Sequence, residues 1–141
     1  MDESKLDVLK SVPLFSHCSR KSLELVATRT DEVNAAAGRT LIEQGKAGDS
    51  FYVLLEGEAD VLIDGKHRRT MRAGDFFGEI SMLDRGLATA TVITRTPARL
   101  MVMSHMQFRD AIKGNQELLM QVIAAIADRL RADSAERLAT G

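Results

Sequence analysis

Hydrophobic residues in the first thirty positions recur with the period of an amphipathic helix. Within residues 4–30, leucine, valine and alanine side chains are spaced three or four apart, and Pro13 interrupts the run. Ser19 is a suitable N-cap for the part after the proline. The pattern predicts two N-terminal helices, whose apolar faces consist of Leu6, Leu9, Val12, Leu23, Val26 and Ala27.

The helical period returns at Ser104 and continues towards the C-terminus. Ser104 and Gln107 have the spacing of a capping box, Gly114 suits a helix end, and Asn115 can cap a last helix. This last helix carries an apolar seam with alternating steps of four and three, which is typical of packing either on a core or on the same helix of a second copy. A homodimer through the C-terminal helix therefore stays open beside core packing. The seam consists of Leu119, Ile123, Ile126 and Leu130.

The chain between the two helical regions has the period of β-strands. Short segments rich in β-branched and aromatic residues alternate with glycines, and Asp64-Gly65 favours a two-residue hairpin that pairs residues 59–63 with 66–71. Residues 88–95 alternate between two faces, and a further strand follows Pro97. These patterns predict a mainly β, α+β fold, namely a sandwich or barrel of about eight short strands with N-terminal helices and two C-terminal helices.

Length and composition fit one ordinary globular unit. The 141 residues are 45% hydrophobic and 28% charged, so we expect a single domain over 1–141, with helices in 1–30, the barrel in 31–103 and helices in 104–138. Cys18 is the only cysteine, which excludes an intrachain disulfide, and no apolar run approaches the roughly 20 residues that span a bilayer. A cytoplasmic location without a membrane span is expected.

Two stretches carry the chemistry of the sequence. They read "IEQGKAGDSFYVLLEGEADV" from Ile42 and "GDFFGEISMLDRGLATATV" from Gly74, and they combine glycine turns with a carboxylate and an alternating strand. Together they resemble the cyclic-nucleotide-binding domain family, whose members include regulatory subunits of cyclic-AMP-dependent protein kinase and the sensor half of the catabolite activator protein. The resemblance covers nearly the whole chain, and it implies a jelly-roll β-barrel between the N-terminal and C-terminal helices, with cAMP or cGMP as ligand and no other cofactor. No metal is expected, because His17, Cys18, His67 and His105 lack the spacing of metal ligands.

The resemblance also implies a role for each residue of the second stretch. Gly78 lets the backbone turn and approach a ligand, and Glu79 accepts a hydrogen bond from the ribose 2′-hydroxyl. A short helix from Ile80 directs its first N–H groups, notably that of Ser81, at the phosphate, and the N–H of Thr89 closes the cradle. A plain strand threonine is the alternative for Thr89. The predicted ligand-binding residues are Gly78, Glu79, Ile80, Ser81, Ala88 and Thr89.

The chain departs from the family at one pair of positions. Family members usually have Pro-Arg where this chain has Leu87-Ala88, and the family's arginine forms an ion pair with the cyclic phosphate. Loss of one partner of a buried charge pair costs about 2 to 5 kcal/mol. A weakened affinity is therefore expected. Arg85 is a candidate replacement cation, although a solvated loop arginine is the simpler interpretation.

Other classes of function fit the sequence less well. Asp75, Glu79 and Asp84 have no histidine or nucleophile beside them, so we expect no enzyme activity. The basic run of residues 66–72 begins at the predicted hairpin and is typical of a solvated edge strand, and the net charge of −1 gives no general reason to bind nucleic acid. Three functions remain open: a nucleotide sensor of reduced affinity, a vestigial domain that serves as an interaction or dimerisation scaffold, and the sensor half of a transcription regulator without its DNA-binding domain.

Overall fold

The computed structural model describes residues 3–12, 15–48, 50–78, 86–113 and 115–140. The chain divides into two compact units, one formed by Arg29–Arg109 and the other by Met1–Thr28 together with Asp110–Gly141. The strands are β1 (Asp31–Ala35), β2 (Thr40–Ile42), β3 (Ser50–Glu56), β4 (Ala59–Ile63), β5 (Lys66–Met71), β6 (Phe76–Phe77), β7 (Thr91–Thr94) and β8 (Ala98–Ser104). The helices are α1 (Glu3–Ser11), α2 (Arg20–Thr28), α3 (His105–Ile112) and α4 (Gln116–Thr140). No helix within these described ranges is both long and apolar enough to cross a bilayer.

The strands form two antiparallel sheets of four strands each. One sheet has the order β1-β8-β3-β6 and the other has the order β2-β7-β4-β5. This arrangement, with helices before and after the strands, confirms the predicted fold class. The barrel is not closed, however, because the strands of the described residues form two separate hydrogen-bonded sheets rather than one continuous one.

The β4–β5 hairpin pairs the two predicted strands, with one register shift between Val61 and Leu62. Asp64 and Gly65 have φ angles of 53° and 77°, the left-handed conformation that a type I′ turn requires. β5 lies at the edge of its sheet, and residues 66–69 of the basic run are exposed. Charged side chains on an edge strand hinder pairing with another chain, which is the role that the sequence predicted for this run.

The alternation of residues 88–95 corresponds to burial in the structure. Ala88, Val92 and Thr94 are buried, whereas Thr89 and Arg95 on the opposite face are exposed. Thr94 is a buried polar residue whose hydroxyl donates to the carbonyl of Ala36 at 2.6 Å. The same hydroxyl accepts from the amide of Arg39 at 2.8 Å, so this polar side chain is satisfied inside the core.

The helix caps in the described residues agree with those that the sequence predicts. The hydroxyl of Ser19 accepts from the amide of Ser22 at 3.2 Å, and the side chain of Asn115 accepts from the amide of Leu118 at 3.0 Å. Ser104 and Gln107 exchange both bonds of a capping box, at 2.7 and 3.0 Å. Gly114, the predicted helix end, lies outside the described residues. All six residues of the predicted N-terminal apolar faces are buried.

The C-terminal helix α4 buries a different face from the predicted seam. Its buried residues are Leu118, Val122 and Ala125, whereas Leu119 and Ile123 of the seam are 37% and 47% exposed. Core packing is therefore contradicted for these two seam residues. The buried row and the predicted seam differ by one position along α4. Both rows recur with helical spacing, because the apolar face of this helix is wide enough to hold two of them. The side chain of Leu130 lies outside the described set.

Candidate functional site

Gly78 follows β6 in a conformation that excludes other residues. Its φ angle is 88°, and a Cβ atom added here would lie 2.5 Å from the carbonyl oxygen of Ser50 and 3.2 Å from Cδ1 of Ile42. An L-residue is strained at this φ angle, and the contact with Ser50 would force the start of β3 to move. The structure therefore gives Gly78 a packing reason in addition to the ligand approach predicted from the sequence.

The turn before β6 fixes the direction in which Gly78 is presented. Gly74 donates its amide to the carbonyl of Leu54 at 2.7 Å, and the amide of Leu54 donates to the carbonyl of Asp75 at 2.8 Å. The carboxylate of Asp75 accepts from the amide of Arg72 at 2.8 Å, which closes the turn. Asp75 thus has a structural role, and its carboxylate stabilises the backbone that leads into the candidate site.

The second side of the candidate site is the segment around Ala88. The amide of Ala88 donates to the carbonyl of Lys46 at 2.8 Å, and its carbonyl accepts from the amide of Gly45 at 2.9 Å. The Ala88 side chain is 7% exposed. Position 88 therefore has a fixed backbone and a buried Cβ, and the neighbouring Leu87 side chain is exposed. The structure therefore has a buried methyl group at position 88, where family members usually have an arginine.

Thr89 differs from Ala88 in the exposure of its side chain and in the hydrogen bonding of its backbone amide. Its side chain is exposed. Among the residues that the structure describes, its amide has no hydrogen-bond partner. Its position two residues before β7 is compatible with the predicted role at the rim of a phosphate site.

The turn at residues 43–46 supports the Ala88 side, and sequence reasoning did not identify it as part of the site. Lys46 donates its amide to the carbonyl of Glu43 at 3.1 Å, and Gly45, the third residue of the turn, has a φ angle of 84°. A positive φ angle at this position is the signature of a type II turn. Gly45 in the sequence was the signal that could have indicated the turn.

Gln44 ties this turn to β7 and to the β4–β5 hairpin of the same sheet. Its amide donates to the hydroxyl of Thr91 at 3.0 Å. Its side chain donates to the Asp64 carboxylate at 3.0 Å and accepts from the Asp64 amide at 2.8 Å. Because three hydrogen bonds hold Gln44, the backbone opposite Ala88 is rigidly supported.

Three of the six predicted site residues lie within the described part of the chain. Gly78 contacts Ile42 and Ser50, and Ala88 contacts Gly45 and Lys46, so the segment from Ile42 to Phe51 borders both. Thr89 adjoins Ala88. The other three predicted ligand residues and the candidate rescue arginine lie outside the described residues: Glu79, Ile80, Ser81 and Arg85.

In the described part of the helical unit, the pKa of Cys18 is strongly shifted. Burial raises the pKa of the Cys18 thiol to about 11, the Lys10 ammonium opposes this shift, and Glu117 adds to it. A thiol with a raised pKa is a poor nucleophile. In the described ranges, no three histidine, cysteine or acidic residues lie close enough together to hold a metal ion.

The fold and the glycine-rich turns define a β-sandwich regulatory domain with flanking helices. A family model for the cyclic nucleotide-binding domain matches residues 32–115. The chain belongs to the cyclic nucleotide-binding domain family.

Similar proteins include regulators from both fungi and bacteria. The cAMP-dependent protein kinase regulatory subunit of Aspergillus fumigatus is 36% identical over 95 residues, which cover 65% of this chain and 23% of that protein. The cAMP-activated global transcriptional regulator of Pasteurella multocida is 34% identical over 101 residues, which cover 67% of this chain and 48% of that protein. The chain therefore spans between about a quarter and a half of the length of these relatives.

Solved structures of similar fold include a transcriptional regulator domain and a kinase regulatory domain. The N-terminal domain of a transcriptional regulator from Streptomyces coelicolor has a TM-score of 0.81 and 29% identity, and the alignment covers 90% of this chain and 94% of that one. The regulatory domain of Toxoplasma gondii PKA, solved with cAMP, has a TM-score of 0.71 and 28% identity over 79% of this chain and 46% of that one.

Proposed function

We propose that this chain is a non-enzymatic regulatory module that binds cAMP or cGMP weakly through residues 78–89. The observation that carries the proposal is the match to the cyclic nucleotide-binding family, together with the glycine turn at Gly78 and the amide of Thr89, which has no partner among the described residues. One domain over 1–141 and a cytoplasmic location both belong to the proposal, and the alignment of the Streptomyces coelicolor regulator domain with 90% of this chain supports the first.

In this proposal the protein holds the ligand mainly through its backbone. The amides of Ser81 and Thr89 donate to the cyclic phosphate, Gly78 and Ile80 border the sugar phosphate, and Glu79 accepts from the ribose 2′-hydroxyl. Thr89 supports this assignment, because its amide has no partner among the described residues. Backbone amides at the start of a helix or strand are suitable donors for an anion because their dipoles converge on it.

The side chain of Ala88 reduces the affinity. An arginine at this position would add a charge-assisted, bidentate contact, and its loss costs about 2 to 5 kcal/mol. A micromolar site would then have a Kd between about 30 μM and several millimolar. The ligand stays the same, and the concentration at which the module responds rises.

Ligand binding would act on the rest of the module through a conformational equilibrium. A nucleotide shifts this equilibrium only if it binds one conformation more tightly than the other. We propose that closure of residues 78–89 on the ligand changes the position of the C-terminal helices. No catalytic step is involved.

Isothermal titration calorimetry with cAMP and with cGMP tests the proposal, on this chain and on Ala88→Arg. We expect saturable heat from both proteins, with the variant binding at least about 30-fold more tightly. Adenosine, which lacks the phosphate, is the control ligand, and Ala88→Arg should leave its affinity unchanged. If neither protein binds either nucleotide at millimolar concentration, the proposed function is wrong.

A specific observation favours a second candidate, the sensor half of a transcription regulator. The domain from Streptomyces coelicolor aligns with 90% of this chain at 29% identity and is itself the N-terminal part of such a regulator. Sequencing of the encoding gene beyond Gly141 tests this candidate, because a DNA-binding domain should follow.

The exposed side chains of α4 favour the scaffold alternative. Leu119, Met120 and Ile123 are 37%, 58% and 47% exposed and lie within two helical turns. Neighbouring exposed apolar residues of this kind are typical of interaction surfaces. The occupant that we propose is a second copy of this chain, because the seam has coiled-coil spacing. Sedimentation equilibrium distinguishes a homodimer from a monomer.

A further inference from the structure

The turn at residues 43–46 includes the cationic residue Lys46, which lies opposite Ala88. Gly45 and Lys46 both oppose Ala88, since Gly45 donates to its carbonyl and Lys46 accepts from its amide. Two residues facing one, with the first a glycine at a φ angle of 84°, form a β-bulge of the glycine type. The bulge therefore makes Lys46 the direct cross-strand neighbour of Ala88.

A cross-strand neighbour lies close to the residue that it faces. Directly opposed residues in antiparallel strands have Cβ atoms about 4.5 to 5.5 Å apart. A lysine side chain has four rotatable bonds, so its ammonium can cover the space beside position 88. The adjacent pair, Ala47 and Leu87, forms an antiparallel bridge and has no charge, so Lys46 is the charged member of this short ladder.

The structure shows that the backbone of the turn is fixed while the ammonium is accessible. Hydrogen bonds between Gln44 and both Thr91 and Asp64 hold the turn in place. The side chain of Lys46 is 71% exposed, and its ammonium lies 3.7 Å from the carboxylate of Glu43. An exposed ion pair of this kind is worth only a few tenths to about 1 kcal/mol, so a phosphate can compete with it.

We propose that Lys46 supplies the positive charge for the ligand phosphate that Ala88 no longer provides. This inference rests on the proposed function, which puts a cyclic phosphate beside residues 88 and 89. On binding, the ammonium leaves Glu43 and pairs with the phosphate, while Thr89 donates its amide. A lysine is a point charge without the planar fork of arginine, so it restores part of the affinity and little of the geometric selectivity.

Calorimetry on Lys46 variants of the full 141-residue chain tests the inference with cAMP and cGMP as probes. Lys46→Ala should weaken binding about 3- to 20-fold, and Lys46→Glu should weaken it further. Lys46→Arg keeps the charge and should retain the affinity. Lys66→Ala, an exposed lysine at the β4–β5 hairpin, is the matched control and should leave the affinity unchanged.

Two further readouts separate a charge contact from a structural effect. The affinity for adenosine should be the same in Lys46→Ala as in the original chain, because adenosine has no phosphate. The effect of Lys46→Ala on cAMP affinity should shrink at high salt, because salt screens exposed charges. It should also shrink in the Ala88→Arg background, where a second cation is present.

The outcomes distinguish this inference from the proposed function. If the original chain binds cAMP and Lys46→Ala binds equally well, the Lys46 contact is wrong and the nucleotide site stands. If the original chain shows no binding at millimolar cAMP while Ala88→Arg binds, Lys46 does not replace the arginine, and the inference is again overturned. If neither protein binds, both the inference and the proposed function fall.

Discussion

Replacing Gly78 by alanine tests the packing reason that the structure gives for this glycine. The new Cβ would lie 2.5 Å from the carbonyl oxygen of Ser50, and the φ angle is 88°. The left-handed conformation costs an L-residue about 1 to 2 kcal/mol, and relief of an overpacked contact adds about 1 to 3 kcal/mol. We expect Gly78→Ala to lower the free energy of unfolding by about 2 to 5 kcal/mol.

Thermal unfolding followed by circular dichroism measures this loss. For a chain of this size each kcal/mol lowers Tm by about 3 to 5 °C, so the expected decrease is about 6 to 25 °C. Alanine substitutions at two other glycines separate the cost of the left-handed backbone from the cost of the close Cβ contact. Gly74 has a φ angle of 96° with nothing near its added Cβ, whereas Gly57 would meet the carbonyl oxygen of Pro97 at 2.5 Å.

The comparison of these variants decides the argument. Gly74→Ala should lose only the cost of backbone strain, about 1 to 2 kcal/mol, and Gly57→Ala should match Gly78→Ala. Should Gly78→Ala prove no less stable than Gly74→Ala, the close approach to β3 would not be the reason for a glycine at position 78.

Three other predictions concern single side chains. Thr94→Val removes the buried hydroxyl that accepts from the part-buried amide of Arg39 and should cost about 1 to 3 kcal/mol in urea unfolding, whereas exposed Thr40→Val should cost less than about 0.5 kcal/mol. The native pKa of Cys18 is raised to about 11, so its contribution to stability is present below pH 9 and is lost as the pH rises from 9 to 11. The stability difference between the original chain and Cys18→Ala should shrink over that range; a constant difference would contradict the raised pKa. Ile123→Lys should abolish any dimer seen by sedimentation, and a dimer that survives it would exclude the exposed face of α4.

Features that depend on neighbours in the sequence could be predicted from it. The Asp64-Gly65 hairpin and the caps at Ser19, Ser104 and Asn115 each require only a few consecutive residues, because their hydrogen bonds are local. The family resemblance was equally clear, because it rests on glycines and acidic residues at fixed spacings.

Features that depend on distant contacts could not be predicted in the same way. The apolar residues of α4 recur in two overlapping rows, and only the folded chain decides that Leu118 and Val122 are buried while Leu119 and Ile123 are exposed. Lys46 was also missed, because its position opposite Ala88 depends on a bulge that joins residues 42 positions apart. The sequence indicated that family members usually have an arginine at position 88. It did not indicate that Lys46 lies opposite this position.

An NMR titration of the isotope-labelled chain with cAMP tests the central claim most directly, because it detects binding even at millimolar Kd and locates it. We predict saturable shifts of the amide signals of Gly78, Ala88 and Thr89, and smaller shifts along β5. Shifts confined to β5 or to the helical unit, or none at millimolar cAMP, would contradict a nucleotide site formed by residues 78–89.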